Sequence, residues 1–183
     1  MIGEPRFRQE RLGQQHDRAS FRCAREEKLE RYLTDPGRAA RENNRNVSAV
    51  YVLLDTSQGD RIAGYFTISN TTLIPARVPL DIAKKLPRYD SWGAVKLGRM
   101  AHHDEYAGLG LGSILIVRAF SVALSIAEQS GSLALVVDAK NETLAAWYVS
   151  QGFRALPESP LTLFITNAQM AAFVEALSSA GEL

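Results

Sequence analysis

Three glycines at alternate positions, Gly108, Gly110 and Gly112, lie between an apolar strand-like run ending near Met100 and a long apolar helix expected from Ser113. Without Cβ atoms the backbone can bend there and bring several N–H groups onto one anion, and the positive end of the helix dipole adds to the attraction. The chemistry implied is the binding of an anionic cofactor through its phosphates. The spacing fits neither a dinucleotide fingerprint, Gly-x-Gly-x-x-Gly with a later acidic residue, nor a P-loop ending in Gly-Lys-Ser/Thr. Taken alone, the same glycines also suit a plain turn from strand to helix.

A second landmark follows. The apolar run Leu133–Val137 leads through Asp138-Ala139-Lys140-Asn141 into a helical stretch, Glu142–Ser150, that stops at Gly152 before Phe153. Leu144, Trp147 and Tyr148 share one helical face by their spacing, and an apolar stripe of that kind is equally the mark of a core helix. A third feature is charge. The formal net charge is only +1, yet residues 1–99 hold 18 Lys/Arg against 12 Asp/Glu and residues 100–183 hold 3 against 8. Arg77, Lys84, Lys85, Arg88, Lys96 and Arg99 cluster against only Asp81 and Asp90. A surface facing a polyanion has this composition, as does a solvated helix face.

Cys23 is the only cysteine, which excludes an internal disulfide and a multi-cysteine zinc site and reads best as a buried, inert thiol. His16, His102 and His103 have no metal-ligand spacing, so no metal site is expected.

The elements that must position these residues are legible in outline. Arg25–Arg45 reads as two amphipathic helices broken near Asp35-Pro36-Gly37. Ser48–Asp55 and Arg61–Asn70 read as a hairpin, Pro75–Pro87 carries a short helix, and Gly93–Met100 is a strand running into the glycines. Strands are expected at Gly152–Ala155 and Leu161–Ile165, with Asn167 capping a last helix, Ala168–Ser178. This order predicts an α/β fold, a mixed central sheet flanked by helices, in a single domain over residues 1–183. The N-terminus lacks an apolar leader and no stretch resembles a membrane span, which places the protein in the cytoplasm. The helix Ser113–Ser130 is apolar on nearly every face, so it should be buried on all sides, with a homodimer partner as one source of cover.

The order strand, glycine turn, long helix, strand, Asn, short helix with Tyr, Gly-Phe resembles the acetyl-CoA-binding half of the GCN5-related N-acetyltransferases, over roughly Val95–Ile165. The segment His16-Asp17-Arg18-Ala19-Ser20-Phe21-Arg22-Cys23, with Arg61–Ser69, Lys85–Tyr89 and Leu97–Ala101, extends the likeness to roughly residues 10–166. There it resembles one branch of that superfamily, the acetyltransferase toxins of bacterial type II toxin–antitoxin systems.

The resemblance implies an enzyme that moves acetyl from acetyl-CoA to the α-amine of aminoacyl-tRNA and so blocks translation, neutralised by a ribbon-helix-helix antitoxin. It also implies roles. Met100 and His102 would offer backbone groups to pantetheine and thioester, Ala107, Gly108, Gly110, Gly112 and Ser113 would line the pyrophosphate turn, and Asn141 would bind the pantetheine arm. Tyr148 would be the general acid, and the basic residues from Arg77 to Arg99 would track tRNA phosphates.

No general base is implied, because an α-amine with pKa of about 8 is already substantially neutral at cellular pH. The chain departs from the family pattern at Ala107 and Leu109, where Arg or Gln and a long polar residue are common, at Ala24 and at His102-His103. Two alternatives stand beside the toxin: an acetyltransferase for a small amine or protein N-terminus, and a non-catalytic module binding acetyl-CoA or antitoxin.

Overall fold

The chain, described over residues 6–180 in a computed structural model, opens with a strand, β1 (Phe7–Arg11), that the sequence pattern does not announce. Its alternate positions carry Arg8 and Glu10, the composition of a protected sheet edge rather than of a half-buried strand. The two expected amphipathic helices follow as α1 (Glu27–Thr34) and α2 (Arg38–Asn44). Tyr32 and Leu33 of α1 are buried; Pro36 cannot continue the helix, and Gly37 adopts φ +92° before α2 begins.

The hairpin is β2 (Ala49–Asp55) and β3 (Arg61–Leu73), antiparallel through Ala49↔Ile68 to Asp55↔Arg61. Gly64 of β3 has a steric role: a Cβ there would lie 3.0 Å from both the Ala101 carbonyl oxygen and Leu115 Cδ1. The segment between prolines forms a 3-10 turn at Pro75–Arg77 and a short helix, α3 (Leu80–Ala83), and the next strand, β4, runs Trp92–His102.

Helix α4 (Leu111–Ser130) begins two residues earlier than expected, so Gly112 and Ser113 are helical. It is also less buried than its composition predicts. Leu115, Ile116, Ala119, Phe120 and Ala123 are fully covered, whereas Ile114, Val122, Leu124 and Ile126 are only half-buried. By length and composition α4 qualifies as a membrane span, contrary to the sequence-based expectation, and one face of it is covered by the fold.

The remaining elements are β5 (Ala134–Asp138), α5 (Glu142–Ser150), β6 (Arg154–Leu156), β7 (Ser159–Thr166) and α6 (Asn167–Ala180). The cap of α6 is Thr166, not Asn167. Thr166 Oγ1 accepts from the Gln169 N–H, and Gln169 Oε1 accepts from the Thr166 N–H, a reciprocal capping box. Asn167 instead donates through Nδ2 to the Ser132 carbonyl.

Seven strands form one mixed sheet in the order β1-β2-β3-β4-β5-β7-β6, with β4 and β5 parallel and β7 antiparallel to both β5 and β6. The chain divides into two compact units: one holds the chain through Ser69 with Gly98–Arg118, the other Asn70–Leu97 and the chain from Ala119. The first unit packs Phe21, Tyr32, Leu33, Val52, Ile62 and Tyr65. The second packs Leu73, Trp92, Ala134, Val136, Leu156 and Phe164.

Candidate functional site

In the first unit the glycine turn hangs from a buried anchor. His103 donates its backbone N–H to the Ala63 carbonyl at 2.7 Å, and its Nδ1 accepts from the Glu105 N–H at 3.2 Å, capping a short turn over Asp104–Tyr106. The Phe21 ring meets His103 edge-on at 5.7 Å. Asp104 holds the N-terminal motif: its N–H donates to the Arg22 carbonyl and its carboxylate accepts from the Ala24 N–H, both at 2.9 Å.

Tyr106 Oη donates to Asp55 Oδ2 at 3.0 Å, and Arg6 donates to the same oxygen at 3.1 Å. Ser57 satisfies the other oxygen through N–H and hydroxyl. Burial alone would raise the Asp55 pKa, but the donors from Ser57, Arg6 and Tyr106 outweigh it and hold the carboxyl below its ordinary range. Burial, then the hydrogen bond to Asp55, pushes the Tyr106 phenol up to about 12.

From this anchor the chain enters the glycines. Gly108 and Gly110 have φ of +77° and +74°, a region costly for any residue with a Cβ. A Cβ built on either meets no atom within 4 Å, so the turn faces open space. The Leu109 N–H returns to the Tyr106 carbonyl and that of Ser113 to Gly110, which leaves the Leu111 and Gly112 N–H groups in the first helical turn, where no intrahelical acceptor exists. Two left-handed glycines at a helix N-terminus present backbone N–H groups in a geometry that can hold an anion. Gly112 is a residue of α4 and not part of the bend.

Met100 and His102 are half-buried at the end of β4, and His102 Nδ1 lies 3.1 Å from the His103 carbonyl oxygen. Ala107, Leu109 and Ser113 are exposed.

In the second unit, α5 carries both remaining candidates. Asn141 caps it, its Oδ1 accepting from the Leu144 N–H at 2.9 Å, so only its Nδ2 is left to donate to a ligand. Tyr148 lies two turns on, 5 % exposed, with Trp147 at 5.0 Å and Phe153 at 5.3 Å between ring centroids. Burial raises its pKa to about 12, which keeps the phenol a proton donor throughout the physiological range.

The basic residues are divided. Arg77, Lys84, Lys85 and Arg88 are exposed in the second unit, where Asp81, one of the two acids among them, is held by Arg154 through two hydrogen bonds. Lys96, in the same unit, pairs with Asp138. Arg99, in the first unit, pairs with Glu42 at 3.3 Å and lies 4.0 Å over the Tyr32 ring. Cys23 is buried, and burial pushes its thiol pKa up, away from nucleophilic use. Sequence reasoning missed the Asp55–Tyr106–His103 anchor, because Asp55 lies 51 residues before Tyr106 and no spacing ties it to that segment.

No protein-family model matches the chain. It is 24% identical over 160 residues to the probable toxin TacT of Sinorhizobium fredii (strain NBRC 101917 / NGR234), covering 84% of this chain and 86% of that protein. A tRNA-acetylating toxin of Mycobacterium tuberculosis (strain ATCC 25618 / H37Rv) is 27% identical over 110 residues, 60% of this chain and 65% of the relative. Among solved structures, AtaT complexed with acetyl-methionyl-tRNAfMet superposes with a TM-score of 0.81 at 28% identity, covering 91% of this chain and 98% of AtaT. AtaTR bound with acetyl-CoA gives 0.75 at 26%, covering 91% and 96%. A tyrosine-to-phenylalanine mutant of AtaT bound to the C-terminus of the antitoxin AtaR gives 0.75 at 25%, covering 92% and 98%.

Proposed function

We propose that this chain, a GCN5-related N-acetyltransferase of the toxin branch, moves the acetyl group of acetyl-CoA to the α-amine of aminoacyl-tRNA and thereby blocks translation. The observation that carries the reading is the turn at Gly108 and Gly110, whose left-handed backbone opens onto the first turn of α4 and suits the donor's pyrophosphate.

The roles follow from the donors each residue has left. The first-turn N–H groups of α4 and the turn itself take the pyrophosphate, with Ser113 at its rim. The Met100 and His102 backbone takes pantetheine and thioester, and Asn141 donates through Nδ2 to the pantetheine arm. The neutral α-amine attacks the thioester carbon, the C–S bond breaks, and the sulfur leaves as thiolate. The nitrogen loses one proton and the sulfur gains one, so the products are an amide and a thiol.

Tyr148 serves this exchange as hydrogen-bond donor and proton relay. A phenol near 12 is several units too weak to protonate a thiolate of ordinary pKa, about 8.5, outright. Its proton therefore moves to sulfur together with the return of the nitrogen's proton, a coupled step in which the acid is never left charged.

In this proposal Arg77, Lys84, Lys85 and Arg88 meet tRNA phosphates, while Lys96 and Arg99 shape the surface through their ion pairs. The neutralising partner is a ribbon-helix-helix antitoxin, and the protein works in the cytoplasm, where its RNA is. The half-buried face of α4 at Val122 and Ile126 supports a homodimer, which a monomer mass in light scattering would refute. The decisive experiment is acetylation of bulk aminoacyl-tRNA with radiolabelled acetyl-CoA beside Tyr148→Phe. Label in the aminoacyl group that falls away in the variant supports the reading; label only in small amines or peptides overturns it.

A further inference from the structure

The first unit holds a cationic feature outside the site described above. Arg38, Arg41 and Arg45 succeed one another at i, i+3 and i+7 along α2 and its C-terminal cap, and with Glu42 and Val47 they line a cleft of about 320 Å³. Like charges at this spacing destabilise a helix, and α2 has only seven residues over which to absorb the cost.

The acid on the same helix does not compensate them. Glu42 Oε2 accepts from Tyr32 Oη at 2.8 Å and pairs with Arg99, so its charge is matched within the fold. Asp35 is the only other carboxylate on the cleft wall, which leaves three guanidinium groups against one acid.

Two of the three are oriented. Arg41 Nε donates to the Gly37 carbonyl at 3.3 Å, and the Arg38 guanidinium lies 5.6 Å from the centre of the Tyr32 ring. A planar fork fixed in this way binds a pair of phosphate oxygens with little further ordering. The spacing of the arginines along the helix suits successive phosphates of a strand better than a single compact anion.

We propose that this cleft binds the phosphodiester backbone of the RNA substrate, Arg38, Arg41 and Arg45 taking its phosphates. The assignment rests on the aminoacyl-tRNA reading and names residues of the first unit that the expected basic segment does not include.

The test uses the full chain with Arg41→Glu/Arg45→Glu and Arg41→Lys/Arg45→Lys, read by fluorescent-tRNA anisotropy, by KM for aminoacyl-tRNA and by acetyl-CoA affinity. Loss of two phosphate contacts should make the slope of log affinity against log salt shallower by about two and weaken tRNA binding by about tenfold or more, with acetyl-CoA affinity unchanged. The lysine pair should keep the salt slope and lose affinity through the missing forks, and it decides the matter if the glutamate pair does not fold.

Unchanged tRNA binding and salt slope in both variants overturns the cleft assignment while leaving the enzymatic reading intact. A wild-type protein that binds tRNA through this cleft but acetylates none overturns the enzymatic reading alone. Unchanged tRNA binding with loss of antitoxin binding makes the cleft a protein-docking site and refutes the proposal.

Discussion

Tyr106 and Asp55 meet at 3.0 Å inside the first unit, a phenol hydroxyl donating to a carboxylate with no solvent exposure, and this bond joins the end of β2 to the root of the glycine turn. The hydroxyl is one of four groups that hold that carboxylate ionised. Tyr106→Phe should therefore cost about 1–3 kcal/mol of stability and raise the KM for acetyl-CoA while leaving kcat nearly constant. Denaturation and steady-state kinetics check it; a fall in kcat alone would place the residue in the chemistry instead.

The same carboxylate sets an acid limit. Its folded pKa lies below the unfolded value of about 3.9, so its contribution is present above that pH and is lost as pH falls through the lowered folded value. Asp55→Asn should be less stable than wild type at pH 7, and the gap should narrow below pH of about 4. A gap independent of pH would show that the carboxyl titrates alike in both states.

The three glycines of the turn should not behave alike. Gly108→Ala and Gly110→Ala should each cost about 1–2 kcal/mol from the left-handed backbone and weaken acetyl-CoA binding. Gly112, inside α4, carries no such strain, and its alanine variant should hold or raise the thermal midpoint. Equal losses at all three positions would mean that space, not backbone handedness, selects glycine.

Tyr148→Phe should lower kcat by about two to four orders of magnitude with acetyl-CoA affinity kept. Because an acid is lost as pH rises through its pKa, and that of Tyr148 is raised to about 12, the wild-type rate should show no alkaline fall from this group near pH 10. A descending limb at pH 9–10 that the variant lacks would contradict the buried phenol.

At the other end of the chain, Thr166→Ala removes the cap of α6. Its expected cost is about 1 kcal/mol, with Gln169→Ala adding less than the same again because the two bonds form one box. Strict additivity would argue that the residues act independently.

Legibility in the sequence followed locality. The bounds of α5 were readable because Asn141 caps it and Gly152 ends the turn after it, both signals lying within two residues of the helix's ends. The hairpin showed itself through β-branched alternation around a Gly-Asp turn. β1 stayed hidden because an edge strand needs no apolar face, and its pairing with β2 crosses more than forty residues. The candidate site divides in the same way. Its glycines and Asn141 were legible by type and spacing, whereas Asp55, Tyr106 and His103 acquire meaning only once β2, β3 and β4 are aligned. The fates of Lys96 and Arg99 were equally out of reach, since Asp138 and Glu42 lie far from them in the chain.

The break between α1 and α2 fixes a rotational phase. Asp35 is extended and Gly37 left-handed, so the direction in which α2 starts is set by this break and not by the turn of α1. One residue inserted between Thr34 and Arg38 would leave the arginines where they are within α2, yet it would change where Arg38, Arg41 and Arg45 stand relative to Tyr32. The arrangement of those guanidinium groups is thus written in the length of a three-residue interval as much as in the arginines themselves.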